Sequence, residues 1–160
     1  AYSYCGLGNA ARMHNDYVPG MRLCAKAEKF YGRIGDKGRL AYTVWAMATV
    51  HKMRGDYQRS SEELARAQKL FRETRDHRGA IYCRLGVGEL ALLQEKKKAA
   101  RLAFAKSLEQ AERYGYHAEA CHALAGLALL APTPDWTTVK KAYRKCGLYF
   151  SPPPPPLNLP

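Results

Sequence analysis

The chain of 160 residues has no apolar run near the roughly 20 residues that a transmembrane helix requires. Its beginning, AYSYCGLGNAARM, lacks the charged-then-apolar order of a signal peptide. No segment alternates apolar and polar residues with a period of two, so nothing in the sequence predicts a β-strand. These absences argue against a membrane protein and against any fold that contains a sheet, and we expect a soluble all-α protein.

The cysteines lack the paired spacing of a metal site or a disulfide framework. Their number is odd and no two form a CxxC pair; they are Cys5, Cys24, Cys83, Cys121 and Cys146. Most fall where a helix would bury them, so we interpret them as reduced core thiols. Because exported chains more often pair their thiols, this interpretation favours a cytoplasmic location.

Acidic residues are scarce relative to basic ones. The chain has 26 Lys and Arg against 14 Asp and Glu, which gives a formal net charge of +12. A surface this cationic attracts acidic peptides, nucleic acid or anionic lipid, and the charge alone does not choose among them.

What the sequence does contain is a repeat with a period of forty residues. Cutting the chain before Tyr2, Tyr42 and Tyr82 aligns units 2–41, 42–81 and 82–121 without an insertion, and a partial unit begins at His122. Each unit carries two apolar patterns of helical period separated by a turn, which is typical of an αα-hairpin. The repeat therefore predicts a helical array over residues 1–131.

Glycine and proline mark the ends of the predicted elements. Glycine-containing turns predict helices over 38–54, 57–74, 78–94 and 97–114. Pro132 and Pro134 interrupt the pattern, and Asp135 can cap a new helix, so we assign 132–150 to a closing helix. Residues 151–160 form a proline-rich tail that we expect to be extended polyproline II.

The repeat resembles the tetratricopeptide repeat (TPR) family, in a subclass with a forty-residue unit. The first unit matches the family pattern at Tyr4, Leu7, Gly8, Asp16, Tyr17 and Ala27, and the second at Met47, Ala48, Gly55, Asp56, Tyr57, Leu64 and Ala67. The third keeps Val87, Gly88, Ala100 and Phe104 but has Glu95-Lys96-Lys97 in place of the turn signature. The resemblance implies a right-handed α-α superhelix, a TPR-like solenoid of helix-turn-helix units without a sheet.

The segments that resemble cofactor-binding, metal-binding or catalytic motifs have simpler structural explanations. Segments 6–11 and 86–91 read as GxGxxA, but both lie within predicted helices, whereas a dinucleotide site needs a strand before the motif. His117, Cys121 and His122 offer two ligands one turn apart with no evident third. No local signature joins a nucleophile to a base. We therefore predict no catalytic residue, no cofactor and no metal site, and we expect no enzyme.

The resemblance places the first helix of each unit on the concave face, where an aromatic residue recurs at one position. The residues expected to face this groove are Tyr2, Asn9, Arg12, Met13, Tyr42, Trp45, Thr49, Lys52, Met53, Tyr82, Leu85, Glu89 and His122. The alternative for the tyrosines is that they only pack between neighbouring helices. Aromatic, Met and Arg side chains are the types enriched at interfaces, so the groove is the predicted binding site.

The hypothesis that follows is a protein-interaction scaffold that docks a partner peptide or helix, of acidic character, on its concave face. The alternatives are a ligand-sensing regulatory arm of a larger signalling or transcriptional protein and, less favoured, a basic RNA-binding array. The basic runs 96–98 and 140–141 read more simply as solvated helix faces. We also expect self-association through the N-terminal end or the proline-rich tail, and no membrane partner.

Overall fold

A computed structural model describes residues 17–152, and this part of the chain is all-α, with no strand. Its helices are α1 Tyr17–Ile34, α2 Lys37–Met53, α3 Tyr57–Glu73, α4 His77–Leu93, α5 Lys97–Arg113, α6 His117–Leu129 and α7 Trp136–Lys145. The bounds predicted for α2 to α5 agree to within one residue at each end. The predictions for Tyr2, Asn9, Arg12, Met13 and residues 153–160 fall outside the described range.

From α2 to α6 the helices begin every twenty residues, and each of the five turns from α1 to α6 has one residue with positive φ. These turn residues are Gly35, Gly55, Arg75, Glu95 and Gly115. Glycine adopts this conformation without a steric cost, whereas Arg75 and Glu95 adopt it at φ values of 56° and 59°. The amide of Lys96 bonds the carbonyl of Ala91 at 2.8 Å, as Asp76 bonds Phe71 at 2.9 Å. The turn before α5 therefore has the same backbone geometry as the others, although Glu95-Lys96-Lys97 replaces the sequence signature of the turn.

Aspartates begin several of the helices. The carboxylates of Asp36, Asp56, Asp76 and Asp135 each accept a hydrogen bond from a backbone amide in the first turn of α2, α3, α4 and α7. Such a cap satisfies an amide that has no partner within its helix. Lys96 and Tyr116 precede α5 and α6 without a side-chain cap. The prediction that Asp135 caps the closing helix is confirmed.

Glycines on α4 and α6 allow one aromatic ring to lie between the two helices. A Cβ atom on Gly88 would lie 2.7 Å from the ring of Phe104, and one on Gly126 would lie 2.6 Å from the same ring. Phe104 is buried between α4 and α6 in consequence. Gly88 is one of the residues that match the TPR pattern, whereas the alignment does not single out Gly126.

The spacing of the helices identifies the concave side of the array. Each helix packs on the next, and the backbones of successive first helices also touch, α2 on α4 and α4 on α6. Among the described residues the backbones of successive second helices, α1, α3, α5 and α7, do not touch. A stack whose elements are closer together on one side bends towards that side. The layer of α2, α4 and α6 is therefore concave.

The last described helix, α7, packs on α6. Val139 and Tyr143 of α7 are buried against Cys121 of α6. The ring of Phe150 then lies 4.7 Å from that of Tyr143 and 5.7 Å from that of Trp136. Cys83, Cys121 and Cys146 are free thiols. Within residues 17–152 no helix is long and apolar enough to cross a bilayer.

Candidate interaction groove

Three of the predicted groove residues form an aromatic row on the concave layer. The rings of Trp45 on α2 and Tyr82 on α4 lie 5.3 Å apart, and the ring of Tyr42 meets the edge of Phe71 at 4.8 Å. All three members of the row are partly exposed. The row therefore packs between units and also presents aromatic surface, so the two interpretations of the tyrosines are not exclusive.

A hydrogen bond to the next unit orients the first tyrosine. The hydroxyl of Tyr42 donates to Oδ2 of Asp76 at 2.9 Å, and Asp76 also caps α4. Burial, together with this bond, raises the pKa of Tyr42 above its usual range, so the phenol stays protonated. The hydrogen bond therefore links Tyr42 on α2 to the residue that caps the start of α4.

His122 occupies the equivalent position in the last unit and contacts the closing helix. Its Nδ1 lies 2.7 Å from the hydroxyl of Tyr143, with the two rings in an edge contact at 5.5 Å. Burial, with smaller contributions from Cys121 and Glu89, raises the pKa of Tyr143 to about 12. His122 therefore extends the row to α7, and its ring is held by that contact.

The remaining predicted groove residues differ in their exposure and partners. Lys52 is ion-paired with Glu89 across α2 and α4, so its ammonium is already engaged. The hydroxyl of Thr49 donates to the carbonyl of Trp45 at 3.1 Å. Met53 is 55% exposed at the end of α2.

Leu85 is a correction to the predicted groove. It is only 6% exposed and belongs to the core cluster around Phe104. The physical reason is that the side of α4 that carries Leu85 packs against the following unit. Leu85 therefore contributes to packing between units and not to the exposed surface.

The concave face also holds an arginine–glutamate pair that the sequence reading misses. Nε of Arg78 donates to Oε1 of Glu119 at 2.6 Å, between α4 and α6. The side chain of Glu119 is 1% exposed, whereas that of Arg78 is 50% exposed. Burial raises the pKa of Glu119, but the approach of Tyr82 and Arg78 outweighs burial and leaves the pKa below its usual value. The pair is charged, and its arginine faces solvent.

Aromatic rings flank this arginine. Its guanidinium carbon lies 5.9 Å from the ring centre of Tyr82 and 5.8 Å from that of Tyr116. The stack continues from Tyr116 to Tyr114 at 5.9 Å and from Tyr114 to His77 at 4.5 Å. Cation–π contacts of this kind hold a guanidinium in place while leaving its edge accessible. Arg78 therefore joins the aromatic row of α2 and α4 to the start of α6.

The groove offers binding chemistry rather than a nucleophile. Burial raises the pKa of the Cys83 thiol to about 12, so it carries almost no thiolate at neutral pH. Burial and the Cys146 thiol likewise raise the pKa of Cys121 to about 12. No group of three or more His, Cys, Asp or Glu side chains within residues 17–152 is arranged to hold a metal ion.

A number of solved structures have a similar arrangement of helices, among them a plasmid-encoded regulator. It is the Rap conjugation gene regulator of the plasmid pLS20 in complex with the Phr* peptide, at a TM-score of 0.73 and 18% sequence identity. This chain shares its helical repeat fold. The match covers 91% of this chain and 41% of that regulator, so this chain spans less than half of its length. At this identity the likeness establishes the fold alone.

Sequence comparison adds no relatives to this structural one. No protein-family model matches the chain, and no curated protein matches it.

Proposed function

We propose that this chain is a TPR-type scaffold that docks a segment of a partner protein on the layer of α2, α4 and α6, without covalent chemistry. The observation that carries the proposal is the partly exposed aromatic row of Tyr42, Trp45 and Tyr82 on the concave side. Aromatic side chains supply large contact areas at little entropic cost and dominate the energetics of protein interfaces. The row is held in place before any partner arrives, which reduces the cost of binding.

The structural comparison supports a peptide as the bound object. The Rap regulator was solved in complex with the Phr* peptide, and this chain shares its helical repeat fold. The second candidate function is that of a peptide-sensing arm in a larger regulatory protein, which would use the same groove. The length of the Rap regulator, more than twice that of this chain, favours this candidate.

The charge of the chain favours an acidic partner, mainly through long-range attraction. The net charge is +12, whereas the groove cation Lys52 is paired with Glu89. Electrostatic attraction of this kind raises association rates and weakens as salt increases. The aromatic row would then supply most of the binding affinity, and the net charge would mainly raise the association rate.

The distribution of charge makes the RNA-binding alternative weaker. The basic runs 96–98 and 140–141 lie at the start of α5 and on α7, which belong to the outer layer. The concave side carries Asp76, Glu89 and Glu119 instead. A polyanion would meet these acids, so the concave face fits a peptide better than a nucleic acid backbone.

The experiment starts by selecting peptides from a displayed random library on the immobilised chain. The affinity of the selected peptides is then measured for the wild type, for Trp45→Ala and for Trp136→Ala. Truncating an aromatic anchor costs about 2 kcal/mol or more, so we expect Trp45→Ala to weaken binding about thirtyfold. Trp136 is the control because it packs on Phe150, away from the groove, and its replacement should leave affinity unchanged.

Two results would contradict the proposal. One is a library in which no peptide is enriched on the folded wild-type chain. The other is a Trp45→Ala chain that unfolds in circular dichroism while the folded fraction keeps full affinity, because Trp45 would then be a core residue only.

A further inference from the structure

We propose that Arg78 is the receptor for a single carboxylate of the docked peptide, a deepening that rests on the function proposed above. The site consists of Arg78 at the start of α4, Glu119 behind it and the rings of Tyr82 and Tyr116 on either side. The chemistry it fits is one Asp or Glu side chain of a peptide in the groove.

The orientation of the guanidinium is the first reason. Nε is taken by Glu119 at 2.6 Å, and the Glu119 side chain is 1% exposed, so the anchor cannot swing into solvent. Within residues 17–152 the ion pair of Arg78 with Glu119 uses Nε of the guanidinium. Nη1 and Nη2 lie at the other end of the guanidinium and form the fork that binds a carboxylate through parallel hydrogen bonds.

The buried carboxylate of Glu119, which lies behind Arg78, is the second reason. Oε2 of Glu119 is buried and has no hydrogen bond of ordinary geometry among the described residues. Burying a carboxylate with an unused oxygen is costly, and a chain that needed only a surface ion pair would not require it. The cost is understandable if the carboxylate serves to hold one guanidinium edge towards the groove.

The surroundings select a single negative charge. Glu119 and Asp76 lie beside Arg78, and Glu89 lies further along the same helix. A peptide carboxylate meets one cation and can avoid these acids, whereas a phosphate backbone would bring repeated charges past them. The ammonium of Lys52, the other cation predicted for the described groove, is already paired with Glu89.

The site is continuous with the aromatic row, which defines what the peptide must present. The Arg78 guanidinium lies 5.9 Å from the Tyr82 ring, and that ring lies 5.3 Å from Trp45. An extended chain advances about 3.3 Å per residue, so an apolar side chain on Trp45 and a carboxylate on Arg78 would be close neighbours in sequence. The expected partner motif is an apolar residue a few positions from an acidic one.

The test uses two displayed libraries of nine-residue peptides that are identical except for a fixed central glutamate or glutamine. Both are selected in competition on the wild type, on Arg78→Gln and on Arg66→Gln. Arg66 is a matched control because it is also paired with a glutamate, Glu28, is 46% exposed, and lies on α3 in the outer layer. Each variant is checked for helicity and melting temperature.

The wild type should enrich the glutamate library over the glutamine library by about tenfold or more, the ratio that a hydrogen bond to a charged group provides. Arg78→Gln should lose this preference, and Arg66→Gln should keep it. Arg78→Lys should keep only part of it, because lysine retains the charge but lacks the planar fork.

Each other outcome has a defined meaning. Equal enrichment of the two libraries on the wild type overturns the Arg78 site and leaves the docking function standing. A glutamate preference that persists in folded Arg78→Gln also overturns it. Enrichment of neither library contradicts the docking function itself, and the Arg78 site with it.

Discussion

Glu119 is the fully buried charged side chain among the described residues, and its environment defines how the array responds to acid. Burial alone would favour its neutral form, but the approach of the Tyr82 hydroxyl and the hydrogen bond from Arg78 lower its pKa below the ordinary value of 4.5. A carboxyl whose pKa is depressed in the folded state stabilises the fold above its unfolded pKa. That contribution is lost as the pH falls through the folded pKa.

Replacing Glu119 by glutamine therefore has an effect that depends on pH. At pH 7 the free energy of unfolding of Glu119→Gln should be lower by about 1.5–3 kcal/mol, the range for a hydrogen bond to a charged group. The difference from the wild type should narrow as the pH falls below about 4.5, where the wild type also loses the ionised carboxyl. Urea titrations at several pH values measure this, with the exposed Glu62→Gln as control. A difference that does not change with pH would contradict the ionised state of Glu119.

At the scale of the helical elements, the close approach of α3 and α4 depends on a residue without a side chain. A Cβ atom on Gly79 would lie 2.2 Å from the Phe71 ring, and Phe71 is completely buried. The ring cannot move into solvent without opening the core around it. Gly32 in α1 provides the contrast, because nothing lies within 4 Å of the position of its Cβ.

Alanine at these two glycines should have opposite effects. Gly79→Ala should reduce the free energy of unfolding by about 1–3 kcal/mol, as overpacking a core does. Gly32→Ala should raise it by up to about 1 kcal/mol, because alanine is a better helix former and meets no neighbour. Urea denaturation of the 160-residue chain measures both. Two changes of the same sign would show that the packing of Phe71 on α4 does not limit stability.

At the scale of the whole molecule, polar links join neighbouring units at sequence separations close to one repeat. Tyr42 bonds Asp76, Lys52 bonds Glu89 and Arg78 bonds Glu119, at separations of 34, 37 and 41 residues. Within residues 17–152 each helix packs on helices one or two places away along the chain. Stability in such an array is a sum of local terms, and the groove is built from links between adjacent units.

The repeat explains why the fold was predictable and part of the site was not. The period and the glycine turns predict every described helix from α2 to α5 to within one residue. They also place Trp45 and Tyr82 on one face. They do not reveal whether Leu85 faces the groove or the next unit, because both sides of α4 are apolar. These sequence patterns do not single out Arg78 and Glu119 as a pair. Their spacing of 41 residues, about one repeat, is a signal for such a pair that the alignment contains.

The most direct measurement of the central claim is chemical-shift mapping of the labelled chain with a library-selected peptide. If the peptide docks on the concave layer, the largest shifts should fall on α2, α4 and α6, at the indole of Trp45, at Tyr82 and at the Nε–H of Arg78. Shifts concentrated on the outer helices α5 and α7, around residues 97–101 and 140–145, would contradict the account and place binding on the basic outer surface.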